Sequence, residues 1–249
     1  MVRISAVSYL NTKPFLHGLE ISPVKNISVS LDIPSECARK LLEDEVDLGL
    51  IPVAVIPQLK EAHILPGFCI GADGPVESVK LYSQVPLAEI KTVFLDYQSR
   101  TSVTLARVLA NEYWKISPQW KKAEAGFEGA VSGTTAAVII GDRTFKLNGT
   151  FNYEFDLAGE WKKLTGLPFV FACWVSNKPL DESFKSEFNK ALDAGLQDIG
   201  KVIEEESPKY LPFNVENYLS KSLNLRLTKQ GEAAITLFLD KMKQLPPLT

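Results

Sequence analysis

The stretch Val7-Ser8-Tyr9-Leu10-Asn11-Thr12-Lys13-Pro14-Phe15 constrains this chain most, because it reads as a buried strand that ends in polar residues just before a helix. Ile4, Ala6 and Val7 supply the strand, Asn11 and Thr12 are helix-capping residues, and Pro14 is a helix-starting one. Where a strand gives way to a helix, backbone N–H groups lack partners at the positive end of the helix dipole. Such a place accepts an anion. Taken alone, the same residues also serve as a plain strand-to-helix cap.

The rest of the chain repeats this design. Residues 27–31 alternate like a strand, Pro34 and Ser35 introduce a helix carrying Cys37, Ala38, Leu41 and Leu42, and residues 46–52 return as a strand. Strand, helix and strand with short joints predict a parallel crossover. Residues 65–75 mix apolar and turn residues, and residues 77–83 alternate as a strand that Pro86 ends. A second unit starts at 92–96, a strand followed by Ser99-Arg100-Thr101-Ser102 and a helix through Val103, Ala106, Ala110 and Tyr113. Residues 136–142 form an unbroken apolar strand, as expected where both sheet faces are covered. A short helix ending at Gly166 precedes an aromatic strand over 167–175. Asp181 then caps a long amphipathic helix, and further helices are expected over 218–223 and 228–242.

This order predicts an α/β, two-lobe, type II periplasmic-binding-protein-like fold with a ligand cleft between the lobes. Strands near 78–84 and 169–175 are the natural crossings, which assigns residues 1–83 plus 176–249 to lobe 1 and 84–175 to lobe 2. Both helix starts then face one cleft, since ligands in open α/β sheets sit beyond the carboxyl ends of the strands.

Composition narrows the function. A net charge of -3 without a basic cluster speaks against nucleic acid as partner. Cys37, Cys69 and Cys173 are odd in number and far apart, and read as free thiols in a reducing compartment. His17 and His63 lie in no recognisable ligand spacing, so no metal site is expected. Met1 to Ser5 lead straight into a strand without an export-signal core, and no apolar run reaches the ~18 residues of a membrane span. A cytoplasmic protein without a membrane partner is the expectation.

Ser99, Arg100, Thr101 and Ser102 form a second candidate anion site, with hydroxyls and a guanidinium at a helix start. Hydrogen bonds to charged groups contribute about 1.5–3 kcal/mol each, whereas micromolar binding needs about 8 kcal/mol. Two opposed anchors and an apolar wall such as Phe171 or Trp174 favour a small dianion with a ring or unsaturated body. Ser78 and Ser83 lie on a crossing strand, but no G-x-S-x-G elbow surrounds either. Asp73 and Asp142 stand beside glycines, where turn chemistry explains them.

Taken together, residues 7–14, Gly71-Ala72-Asp73-Gly74-Pro75-Val76-Glu77-Ser78, residues 83–87, Ser99-Arg100-Thr101-Ser102-Val103 and residues 165–172 resemble the chorismate dehydratase family of the futalosine route to menaquinone. The resemblance spans roughly residues 1 to 176 and is specific only jointly. It implies a lyase that removes water from chorismate to give 3-[(1-carboxyvinyl)oxy]benzoate, without cofactor or metal. It further implies that Asn11 and Ser78 are the catalytic residues and that Thr12, Arg100, Thr101 and Ser102 bind substrate. Lys13, Glu77 and Lys80 depart from the family's usual residues, and Glu77 is expected to face solvent. The rival reading is a non-catalytic small-carboxylate binding protein of the periplasmic-binding-protein type.

Overall fold

The structure is a computed structural model and describes residues 1–247. The chain begins with β1 (Val2–Val7), a 3-10 turn (Leu10–Thr12) and α1 (Lys13–Ile21), then β2 (Ile27–Asp32), α2 (Pro34–Leu42), β3 (Leu48–Pro52) and β4 (His63–Ala72). It continues through β5 (Val79–Ser83), β6 (Thr92–Leu95), α3 (Thr101–Leu109), β7 (Gln119–Lys122), β8 (Thr135–Ile140) and β9 (Tyr153–Asp156). It closes with α4 (Leu157–Thr165), β10 (Phe169–Ser176), α5 (Glu182–Gln197), α6 (Ile199–Glu206), α7 (Val215–Asn217), β11 (Asn224–Arg226) and α8 (Lys229–Lys243). Among the described residues no helix is long and apolar enough to cross a membrane.

Two sheets result. The first has the order β11-β4-β10-β3-β1-β2 and the second β7-β6-β8-β5-β9. β1 pairs in parallel with both β2 and β3, and β6 does so with β7 and β8, as the strand–helix–strand patterns require. β10 enters antiparallel between β3 and β4, and β5 enters antiparallel between β8 and β9. Each sheet thus takes into its middle the strand that arrives from the other sheet.

This placement corrects the expected lobe boundaries. Residues 79–83, expected in lobe 1, are hydrogen-bonded on both sides into the second sheet, while residues 169–176, mostly expected in lobe 2, belong to the first. Neither strand spans the lobes. The crossings are the connections before them, residues 73–78 and 157–168. The reason is backbone hydrogen bonding: a buried strand must satisfy its N–H and C=O groups on both edges, so it joins one sheet completely.

The crossings are tied together at Asp156. Its carboxylate accepts the N–H groups of Val76 (2.9 Å) and Glu77 (2.7 Å) in the first crossing and of Gly159 (3.0 Å) at the start of α4 in the second. Burial pushes this carboxyl upward in pKa, against the pull of those donors. Glu77 has φ of 69° and does not face solvent as expected. Its carboxylate accepts from Asn217 Nδ2 at 3.1 Å and from the Ser222 hydroxyl.

The first lobe packs around β10. Trp174 meets Phe15 and Phe188 edge to face, at centroid distances of 6.1 and 5.0 Å, while Phe169 on the same strand meets Trp161 and Phe238. Cys37, Cys69 and Cys173 are free and buried. Asp156→Ala strands three part-buried backbone donors, and its unfolding free energy in urea is expected to fall by about 2–4 kcal/mol.

Candidate active site between the two lobes

The carboxyl end of β1 and the crossing before β5 converge with the start of α3 on one cavity of about 50 Å³. That is far below the usual size of a small-molecule site, about 300–1,000 Å³, so the lobes must part to admit a ligand. Asn11, Ser78, Ser99 and Ser102 line it, and Phe171 and Ile140 contribute apolar wall. No lining side chain carries a formal charge. The lobes are closed over it: the Tyr9 hydroxyl meets the Gln98 side-chain carbonyl, and Ser35 N–H donates to the Gln98 carbonyl at 3.1 Å.

Each side chain owes its place to local structure. The turn Leu10–Thr12 carries Asn11 off the end of β1, and the buried Thr12 hydroxyl donates to Asn11 Oδ1 at 3.1 Å. With its carbonyl engaged, the Asn11 amide has N–H groups to donate. Ser78, 2% exposed, stands just before β5, and its hydroxyl accepts a hydrogen bond from the Tyr218 phenol at 2.8 Å. Its carbonyl accepts from Gly141 N–H at 2.9 Å. Gly141 is required there twice over: its φ is 73°, and a Cβ on it would stand 2.7 Å from the Tyr9 ring.

At the second helix start Ser99 stands just before the N-cap residue Arg100. Its Oγ accepts from Ser102 N–H at 3.0 Å, while Asp96 in the preceding turn accepts from Gln98 and Ile140 N–H at 3.0 Å each and pairs with Arg143. Burial pushes the Asp96 carboxyl up, opposed first by the Arg143 guanidinium. Burial also raises the Tyr9 phenol, which keeps it protonated at any ordinary pH.

The expected site residues divide accordingly. Asn11, Ser78, Thr101 and Ser102 come together at the cavity. Thr101, however, has its hydroxyl committed, donating to the Phe171 carbonyl at 3.0 Å and accepting from Ala54 N–H at 3.2 Å, so it joins the lobes. Thr12 is fully buried behind Asn11. Arg100 is exposed and lines an outer groove with Pro57 and Met242, which removes it from the cavity because the helix turns its side chain away from Thr101 and Ser102. Of the two expected apolar walls, Phe171 lines the cavity and Trp174 belongs to the core.

Other residues escaped the sequence reading. Asp142, taken there for a turn aspartate, accepts Leu10 N–H through both oxygens at 3.2 Å and the Tyr210 hydroxyl at 2.8 Å. Part of the first helix start is therefore filled by the protein's own carboxylate. Burial raises the Asp142 pKa, and the Tyr210 and Leu10 bonds work against that shift. In the sequence Tyr218 reads only as the beginning of a helix. It opens a π-turn, Tyr218–Ser222, a local form frequent at functional sites.

The family described as menaquinone biosynthesis matches residues 2–244. A curated relative, the chorismate dehydratase of Thermus thermophilus, is 28% identical over 233 residues, covering 85% of this chain and 84% of its own. Among solved structures, a protein from Archaeoglobus fulgidus superposes with a TM-score of 0.79 at 13% identity, covering 98% of this chain and 97% of that one. The alkanesulfonate-binding protein of Xanthomonas axonopodis, bound to MOPS, has a TM-score of 0.64 at 18% identity, covering 100% and 95%. The fold is therefore that of the periplasmic binding proteins.

Two substitutions separate joining from binding. Thr101→Val leaves two buried backbone groups without partners and is expected to lower unfolding free energy in urea by about 1–3 kcal/mol. Arg100→Ala is expected to leave ligand affinity, measured by calorimetry, within about twofold, as surface substitutions do.

Proposed function

Because the chain belongs to the menaquinone-biosynthesis family, matched over residues 2–244, we propose that it eliminates water from chorismate to give 3-[(1-carboxyvinyl)oxy]benzoate. It is then a carbon–oxygen lyase acting on a small dianion. The observation that carries this reading is the meeting of Asn11 and Ser78 at one uncharged cavity under a wall of Phe171.

The chemistry needs no electron acceptor. A proton passes from the ring carbon bearing the enolpyruvyl ether to the base, the neighbouring C–O bond breaks with its electron pair going to oxygen, and the proton joins that oxygen so that it leaves as water. The C–H electrons become the third ring double bond. Aromaticity supplies the driving force, and the protein's task is to hold the ring, assist the leaving oxygen and exclude bulk water.

The Asn11 amide and the Ser78 hydroxyl donate to the leaving hydroxyl or to an adjacent carboxylate, with Thr12 fixing Asn11 from behind. Ser99 and Ser102 hold the opposite carboxylate at the start of α3. Four such donors to a charged group contribute about 6–12 kcal/mol gross, comparable with the roughly 8 kcal/mol of a micromolar complex. Binding without a cationic side chain is therefore reasonable. No carboxylate, imidazole or amine is among the cavity-lining residues, so we assign the base to a carboxylate of the substrate itself.

Purified protein mixed with chorismate is expected to convert it to an aromatic product with a new ultraviolet absorbance. Tight binding without turnover would replace the enzyme by a carboxylate-binding protein. Ser78→Ala and Asn11→Ala are each expected to lower kcat about 10²–10³-fold, the usual loss for one transition-state donor. With Tyr9 held protonated and no other titrating group on the wall, kcat is expected to stay flat from about pH 6 to 9. A bell-shaped profile in that range would assign the proton transfer to a protein side chain.

A further inference from the structure

We propose that Tyr218 is a positioning residue for this reaction: its phenol sets the Ser78 hydroxyl so that the serine donates its own hydrogen into the cavity. The inference rests on the reading of the cavity as the dehydration site and extends it to a residue that lies 140 positions away in the chain.

A serine hydroxyl has one hydrogen to give and two lone pairs that accept. In isolation it rotates, and its hydrogen serves whichever acceptor is nearest. Here the Tyr218 phenol donates to Ser78 Oγ at 2.8 Å, a bond between two buried groups. With that lone pair taken, the serine hydrogen is directed away from the tyrosine. Ser78 lines the cavity, so that direction leads to the ligand. The series phenol to serine to substrate oxygen is also self-reinforcing, since each donor polarises the next in a low-dielectric interior.

Tyr218 is held for this role from both lobes. Its ring meets Phe145 of the second lobe and Phe213 of the first edge to face, at 5.2 and 5.5 Å. The turn that carries it is capped by Asn214, whose Oδ1 accepts from Asn217 N–H at 2.9 Å. Asn217 and Ser222 in turn hold Glu77, the residue before Ser78. The segment 214–222 therefore holds both the Glu77 carboxylate and the Ser78 hydroxyl. Burial raises the phenol's pKa and keeps it protonated. It is a permanent donor across the working range of pH.

The test is a double-mutant cycle on chorismate turnover with Tyr218→Phe, Ser78→Ala and the pair. Phenylalanine keeps the ring and its aromatic contacts and removes only the donor. Tyr218→Phe is expected to lower kcat about 10–100-fold with KM within about threefold, and the double variant to fall within about twofold of Ser78→Ala alone. Full activity in Tyr218→Phe, or losses that multiply in the double variant, would overturn the positioning role while leaving the dehydratase reading intact. A wild-type protein inert toward chorismate overturns that reading and this role with it. As a check independent of the folding of the phenylalanine variant, 3-fluorotyrosine placed at 218 keeps the ring and makes the phenol a stronger donor. It is expected to shift kcat at constant KM, and an unchanged kcat would count against the proposal.

Discussion

Each sheet of this protein is completed by a strand from the other side of the molecule, and the arrangement of the cleft follows from that exchange. β5 and β10 enter antiparallel among parallel strands and are hydrogen-bonded on both edges. Breaking either insertion would expose two rows of buried backbone groups, a far greater cost than any single contact between the lobes. The parallel strands β1 and β6 consequently end at one crevice, and the helix starts that follow them meet there. Asp156 adds a local constraint by binding three N–H groups from both crossings, which keeps the residues before Ser78 in place.

The electrostatics of the crevice are arranged by neutral groups. The formal charges nearest to it are satisfied within the protein: Asp96 with Arg143, and Asp142 with Leu10 N–H and Tyr210. In the proposed reaction a doubly negative substrate would meet hydroxyls, an amide and backbone dipoles. Such donors are already oriented by second partners, Thr12 for Asn11 and Tyr218 for Ser78. Orientation in advance lowers the reorganisation that a reaction must otherwise include. An uncharged wall also suits a reaction whose base belongs to the substrate, because no fixed cation neutralises the carboxylate that must take the proton.

Much of the fold was legible along the chain. The run of strand 92–95, polar turn and helix from Thr101, and the fully apolar strand 135–140, follow from period and capping chemistry alone. The same reasoning placed Asn11 and Ser102 at a shared cleft, because strand ends before helix starts are recognisable locally, whereas Ser78 came only from the family resemblance. It misjudged Arg100, since a helix start places neighbouring residues on different faces and nothing in a four-residue motif says which face is covered. It also misjudged the crossings by a whole strand each, because alternation marks a strand without naming its partners.

By itself the sequence determined the alternation of strands and helices, the polar turns that close them, and the residue types able to hold an anion without a metal. These depend on neighbours three or four positions apart, and local chemistry settles them. Only the tertiary structure decided that Asp142 occupies the first helix start, that the Thr101 hydroxyl joins the lobes, and that Tyr218 reaches Ser78. Those pairings span 132, 70 and 140 positions, and they exist because both chain crossings bring distant segments to one buried place where every polar group needs a partner.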